Sequence, residues 1–191
     1  MNFEPFPKLS RLSRECIITE KIDGTNAQIY ICANPPLDTT ASIACYNDLF
    51  IFAGSRSKYL TVKDDNFGFA RWVEANAEEL IQLGPGRHFG EWWGSGIQIG
   101  YGLPKGEKRF SLFNVSKWME IRPSCCHVVP IIKAGIFSDT LINEALEDLK
   151  SHGSYAAPFM NPEGIVIYHT AANMMFKKTI EDDEKPKGSR E

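Results

Sequence analysis

The sequence of 191 residues predicts an α+β fold of mostly antiparallel sheets flanked by helices. Three observations carry that reading. Runs of β-branched and aromatic residues recur in pairs, with short turn-forming dipeptides between them. Only two stretches space their apolar residues as a helix does. No internal repeat and no linker divides the chain, so residues 1–180 read as one domain.

Taken in order, the first fifteen residues hold two prolines and alternating charge and form an irregular lead-in. CIITEKI (16–22) and TNAQIYICA (25–33) read as strands joined by a turn at Asp23–Gly24. The stretch at Asn34, Pro35 and Pro36 is a loop. SIACY (42–46) and LFIFAGS (49–55) form a hairpin across Asn47–Asp48. From 66 to 83 the period changes: Phe69, Val73, Leu80 and Ile81 fall on one helical face, and Gly84-Pro85-Gly86 stops the helix. RHFGEWWG (87–94) and RFSLFNV (109–115) are strands divided by a glycine-rich loop. HVVPIIKAG (127–135) is a further strand, which Pro130 assigns to a sheet edge or a bulge. Ser138 is an N-cap, and Leu141, Ile142, Ala145, Leu146 and Leu149 form the apolar face of a helix ending near Gly153. GIVIYHT (164–170) and NMMFKKT (173–179) are the last strands. The tail, 181–191, has almost no apolar content and is expected to be disordered.

Composition limits the function classes. A net charge of -3 excludes a polycation, so any nucleic-acid contact rests on local basic groups. No apolar run approaches a membrane span, and MNFEPFPKLSRLSREC is not a signal peptide, so a cytoplasmic protein is expected. The five cysteines show no CxxC spacing and read as reduced thiols, and Cys125–Cys126 as small buried hydrophobes. The four histidines share no metal spacing and read as core or surface residues. At least one of Trp92 and Trp93 belongs to the core. Lys105, Lys108 and Arg109 read as a solvated cluster rather than a phosphate site.

One segment carries chemistry. Lys21-Ile22-Asp23-Gly24-Thr25-Asn26 puts a lysine at a strand end, followed by a carboxylate, a glycine and an amide. A lysine amine attacks phosphorus only when unprotonated, a state that a nearby metal ion favours by disfavouring the ammonium form. Glycine allows a sharp turn close to phosphates. Asn26 can donate to a phosphate oxygen without adding charge.

Together with later segments, this one resembles the superfamily of ATP-dependent ligases and mRNA capping enzymes, which act through a lysine–nucleotide intermediate. Lys21-Ile22-Asp23-Gly24 matches motif I. Gly54-Ser55-Arg56-Ser57 is similar to motif Ia, and Phe89-Gly90-Glu91-Trp92 to motif III. Phe110-Ser111-Leu112-Phe113-Asn114-Val115 is similar to motif IIIa, Glu163-Gly164-Ile165-Val166 to motif IV, and Met175-Phe176-Lys177-Lys178 to motif V. Asn26, where DNA ligases and capping enzymes usually have arginine, makes RNA ligases the nearer match. The resemblance runs from about residue 16 to 180 and implies a ligase-type nucleotidyltransferase domain.

By that resemblance Lys21 is the nucleophile and Glu20 reads the adenine amino group. Arg56 contacts ribose near the incoming strand, and Glu91 binds ribose. Phe113 stacks on adenine, with Phe110 as second candidate. Glu91, Glu163 and Asp23 hold Mg²⁺ or Mn²⁺, mostly through water, and Lys177 or Lys178 grips the α-phosphate. ATP is the substrate, and RNA ends bearing a 5′-phosphate and a 3′-hydroxyl are the partners. Two departures stand out. Relatives commonly read K-x-K in motif V, which puts both lysines on one strand face; here they are adjacent, and if Lys177 faces the phosphate, Thr179 takes the second position. Relatives also continue into a second domain, whose role here falls to a separate partner or is missing. The alternatives are a minimal DNA ligase, separated by its preference among DNA and RNA nicks, and a partner-dependent nucleotide-binding module, separated by failure to label with ATP.

Overall fold

A computed structural model describes residues 2–33, 41–181 and 183–184. The loop expected at Asn34–Pro36, and most of the tail expected to be disordered, lie outside the described residues. In chain order come β1 (Glu15–Lys21), β2 (Thr25–Cys32), β3 (Ala44–Tyr46), β4 (Leu49–Gly54) and β5 (Tyr59–Leu60). Then follow α1 (Phe69–Ala75), α2 (Ala77–Leu80), β6 (Gly86–Gly94), β7 (Lys108–Leu112) and α3 (Val115–Trp118). The chain goes on through β8 (Cys126–Val128), β9 (Ile131–Ile136), α4 (Asp139–His152), β10 (Gly164–His169) and β11 (Met174–Thr179). These elements gather into two compact units.

Unit 1 comprises Met1–Lys21, Pro130–Tyr155 and Met160–Glu191. Its sheet is antiparallel, in the order β11-β10-β1-β9. One sheet face is covered by α4: Cys16, Ile18, Ile165 and Ile167 pack with Ile142, Ala145, Leu146 and Leu149. The helix begins as expected, Ser138 Oγ accepting from the Leu141 N–H at 3.2 Å, and Gly153 follows its end.

Unit 2 comprises Ile22–Val129 and Ala156–Phe159. Its sheet runs β3-β4-β2-β6-β7-β8, with β5 added beside β4. Ala27, Ile29, Ile31, Ile51, Ala53, Trp92, Phe110 and Leu112 present one sheet face to Phe69, Val73, Leu80 and Leu83. Asn47 and Asp48, both with positive φ, close the β3–β4 hairpin as predicted.

Four expectations change. The strands flanking Asp23–Gly24 form no hairpin: β1 pairs with β10 and β9, β2 with β4 and β6. Each finds its apolar face matched by other strands. The helix expected over 66–83 breaks at Asn76, whose side chain donates to Trp72 O at 2.7 Å and competes with the helical ladder. A 3₁₀ turn, Ile81–Leu83, then shifts the phase, so Leu83 is buried and Ile81 only half-buried. The strand expected over 109–115 stops at Leu112, because Asn114 accepts from the Lys117 N–H and caps α3. The run 127–135 splits at Val129–Pro130 into β8 and β9, each an edge strand of its own sheet. Proline has no N–H to donate to a ladder, which puts the break there.

Candidate functional site

In unit 1 the register of three strands brings motifs I, IV and V together. Lys21 ends β1 directly across from Gly164, and Gly164 pairs on its other side with Thr179. Glu163, one residue before β10, therefore lies beside the lysine, and its carboxylate forms an ion pair with Lys21 Nζ. The two side chains are 17% and 8% exposed, so the pair is largely withdrawn from water. Gly164 admits the close packing of β11: a Cβ there would collide with the Lys178 carbonyl and Thr179 Cα.

Alternation separates the two motif V lysines. Thr19, Val166 and Lys177 form one row, on the face that also carries Lys21. Glu20, Ile165 and Lys178 form the next, on the face that carries Ile18 and Ile167 toward α4. Glu20 is 1% exposed and accepts from the Tyr155 N–H at 2.8 Å. That contact, invisible in the local sequence, ties β1 to the segment that follows α4.

In unit 2, motifs I and III meet across β2 and β6. Asn26 pairs with Glu91 in register, and its Nδ2 donates to Glu91 Oε2 at 3.4 Å. Gly24 is required for a different reason from the one expected. It is absent from the positive-φ positions; instead a Cβ would lie 2.6 Å from Trp92 O and 2.9 Å from Glu91 Cγ. Its missing side chain lets the start of motif I pack on the strand that holds Glu91. Asp23 is buried, and its N–H donates to the Tyr101 hydroxyl at 3.2 Å.

No motif marks Tyr101 in the sequence. It is fully buried with φ 50°, edge-on to Trp93 at 5.3 Å and tilted against Phe159 at 4.9 Å. Its one local signal is its place between Gly100 and Gly102, which give the loop its turn. Trp93 Nε1 also donates to Ser111 Oγ at 2.9 Å, so both tryptophans are core residues.

Of the two adenine-stacking candidates, Phe110 is removed: it is 0% exposed and packed against Phe69 and Trp72. Phe113 is half-buried just past β7, its N–H bonded to Phe89 O. Arg56 is exposed in the turn after β4. Arg109 is held by Glu107 and Ala156 O, which makes it structural. His88 Nε2 bonds Gly84 O at 2.8 Å, and burial pushes its pKa below the ordinary histidine value. His169 Nε2 bonds Leu12 O while Nδ1 accepts from the Ala172 N–H. Among the described residues no group of three His, Cys, Asp or Glu side chains could hold a metal ion, and no helix is long and apolar enough to cross a membrane.

No curated protein sequence matches the chain. Solved structures do match. An arginine-to-alanine mutant of Naegleria gruberi RNA ligase with ATP and Mn gives a TM-score of 0.58 at 18% identity, over 88% of this chain and 50% of that one. A lysine-to-methionine mutant of the same ligase with AMP and Mn gives 0.57 at 19% identity, over 88% and 50%. At this identity they establish a shared fold, and this chain spans about half their length. The family described as RNA ligase matches residues 14–180, a span that takes in every motif from Glu20 to Lys178; the chain therefore belongs to the RNA ligase family.

Proposed function

We propose that this chain is the adenylylating part of an ATP-dependent RNA ligase, with Lys21 as the nucleophile. The observation that supports it most is the Lys21–Glu163 ion pair, in which residues far apart in sequence, matched separately to motifs I and IV, meet at the end of β1. ATP and a divalent ion enter the proposal because the solved relatives hold ATP or AMP with Mn.

The Lys21 ammonium releases one proton to water and its neutral nitrogen attacks the α-phosphorus of ATP, a second N–H proton leaving to water or to the departing pyrophosphate. An N–P bond forms as the P–O bond to pyrophosphate breaks, leaving a lysyl-AMP phosphoramidate. Lys177, on the face of Lys21, stabilises the transferring phosphoryl oxygens. Phe113 stacks on adenine, and Asn26 and Arg56 keep the roles the motifs imply; Gly24 serves by its close packing on β6, and Glu20 and Lys178, on the sheet face opposite Lys21, are assigned none. The motifs assign Glu163, Glu91 and Asp23 to Mg²⁺ or Mn²⁺, as hard oxygen donors that would hold the ion mostly through water. Such an ion supplies charge neutralisation at the triphosphate. AMP then passes to a 5′-phosphate end of RNA, and a 3′-hydroxyl displaces it to seal the strand.

Incubation with α-labelled ATP and Mg²⁺ or Mn²⁺ tests the reading. An acid-labile, alkali-stable adduct on the wild type and none on Lys21→Ala is expected. An adduct of equal yield on Lys21→Ala rules out the nucleophile. Nicks with RNA or DNA on the 3′-hydroxyl side distinguish an RNA ligase from a DNA ligase.

A further inference from the structure

The sheet of unit 2 carries a second pattern beside the motif residues. On β2, β4 and β6 the rows are in register: Asn26 with Glu91, then Gln28 with Phe89 and Gly54, then Tyr30 with Arg87 and Phe52. Alternation puts these rows on one face, opposite the face that Ala27, Ile29 and Ile31 present to the core. Strand geometry spaces successive rows by about 6.7 Å.

The third row is built stiffly. The Arg87 guanidinium lies 4.3 Å from the centre of the Tyr30 ring and donates to Gln28 Oε1 at 3.0 Å and to the Tyr59 hydroxyl at 3.2 Å. Phe52, 1% exposed, supports both tyrosines, with ring centres 5.8 Å from Tyr30 and 5.5 Å from Tyr59. Above this base, Tyr59 is 37% exposed, Arg87 is exposed, and Phe89 in the adjoining row is 50% exposed. Aromatic rings and a planar guanidinium are the surfaces on which nucleobases stack, and they read no sequence. The bases of a duplex are already stacked on one another, so the fit is to a single strand. Charge agrees: Arg87, and Arg56 just beyond β4, are cations suited to a phosphate backbone.

We propose that this face binds single-stranded RNA next to the end to be joined, bases lying on Tyr30, Tyr59 and Phe89 with Arg87 among them. The proposal rests on the RNA ligase reading above for the identity of the nucleic acid. The rows lead step by step away from Asn26 and Glu91, so the strand follows β2 and β6 outward.

The test uses the whole chain and a fluorescent RNA dodecamer carrying 4-thiouridine. Ultraviolet cross-linking and peptide mass spectrometry are expected to place adducts on Tyr30, Tyr59 or Phe89. In anisotropy titrations Tyr30→Leu and Arg87→Ala each weaken binding about tenfold, while Tyr30→Phe, which keeps the ring, stays within about twofold of wild type. Melting curves identify any variant that fails to fold; if Tyr30→Leu does, the exposed Arg87 position decides the outcome. Adducts confined to other surfaces, or Arg87→Ala binding within about twofold of wild type, overturn the proposal. Wild-type labelling by ATP is read separately: its failure removes the ligase reading, while the adduct map still decides whether this face binds RNA.

Discussion

Lys21 and Lys177 lie on one face of the β1–β10–β11 sheet, two residues apart in register, while Lys178 lies on the opposite face with Glu20. Adjacent residues on a strand cannot act on the same ligand from the same side. Lys177→Ala is therefore expected to slow lysyl-AMP formation by about a hundredfold, the scale of losing one charge-stabilising donor. Lys178→Ala is expected to stay within about threefold of wild type, having no phosphate to hold from its side of the sheet. Single-turnover labelling with ATP measures both, and the reverse order would transfer the role to Lys178.

The Lys21–Glu163 pair gives a prediction about stability that is independent of activity. Both side chains are largely out of water, so losing one partner removes an attraction that water screens little. Lys21→Met and Glu163→Gln are each expected to cost roughly 1–3 kcal/mol in urea unfolding. The double variant is expected to be more stable than the sum of the two losses implies. Strict additivity would mean that the pair contributes nothing of its own.

Gly24→Ala tests the close approach of motif I to β6. The new Cβ would meet Trp92 O and Trp93 Cβ within 2.8 Å, and backbone must shift to admit it. Overpacking of this kind costs about 1–3 kcal/mol. A crystal structure of the variant should show β6 displaced around Glu91, with weaker ATP labelling; a wild-type melting temperature would contradict the packing account.

His88 is one source of pH dependence, and burial pushes the His127 pKa down as well. Burial holds the His88 pKa in the folded protein below the ordinary value of 6.5, so folding favours the neutral ring. Its contribution is complete above about pH 6.5 and is lost as pH falls from there toward the depressed folded value. Melting temperature should fall between about pH 7 and pH 5. His88→Gln, which keeps an N–H for Gly84 O, should flatten that fall; an unchanged profile would assign the acid sensitivity elsewhere.

Local spacing was enough to place much of this protein. The α+β class, the α4 face with its Ser138 cap, the Asn47–Asp48 hairpin and the last two strands follow from periodicity and turn chemistry, which act over a few residues. Motif order pointed to the RNA ligase family for a related reason: a nucleophile, a turn glycine and an amide leave a short, ordered trace. What the sequence could not decide is which strands pair, because register is settled by long-range matching of apolar faces. That matching sends β1 and β2 into different sheets, breaks the run at Pro130 into two edge strands, and buries Phe110 while leaving Phe113 half-exposed. It alone puts Glu163 against Lys21, separates Lys177 from Lys178, makes Gly24 a packing residue and brings Tyr101 under Asp23.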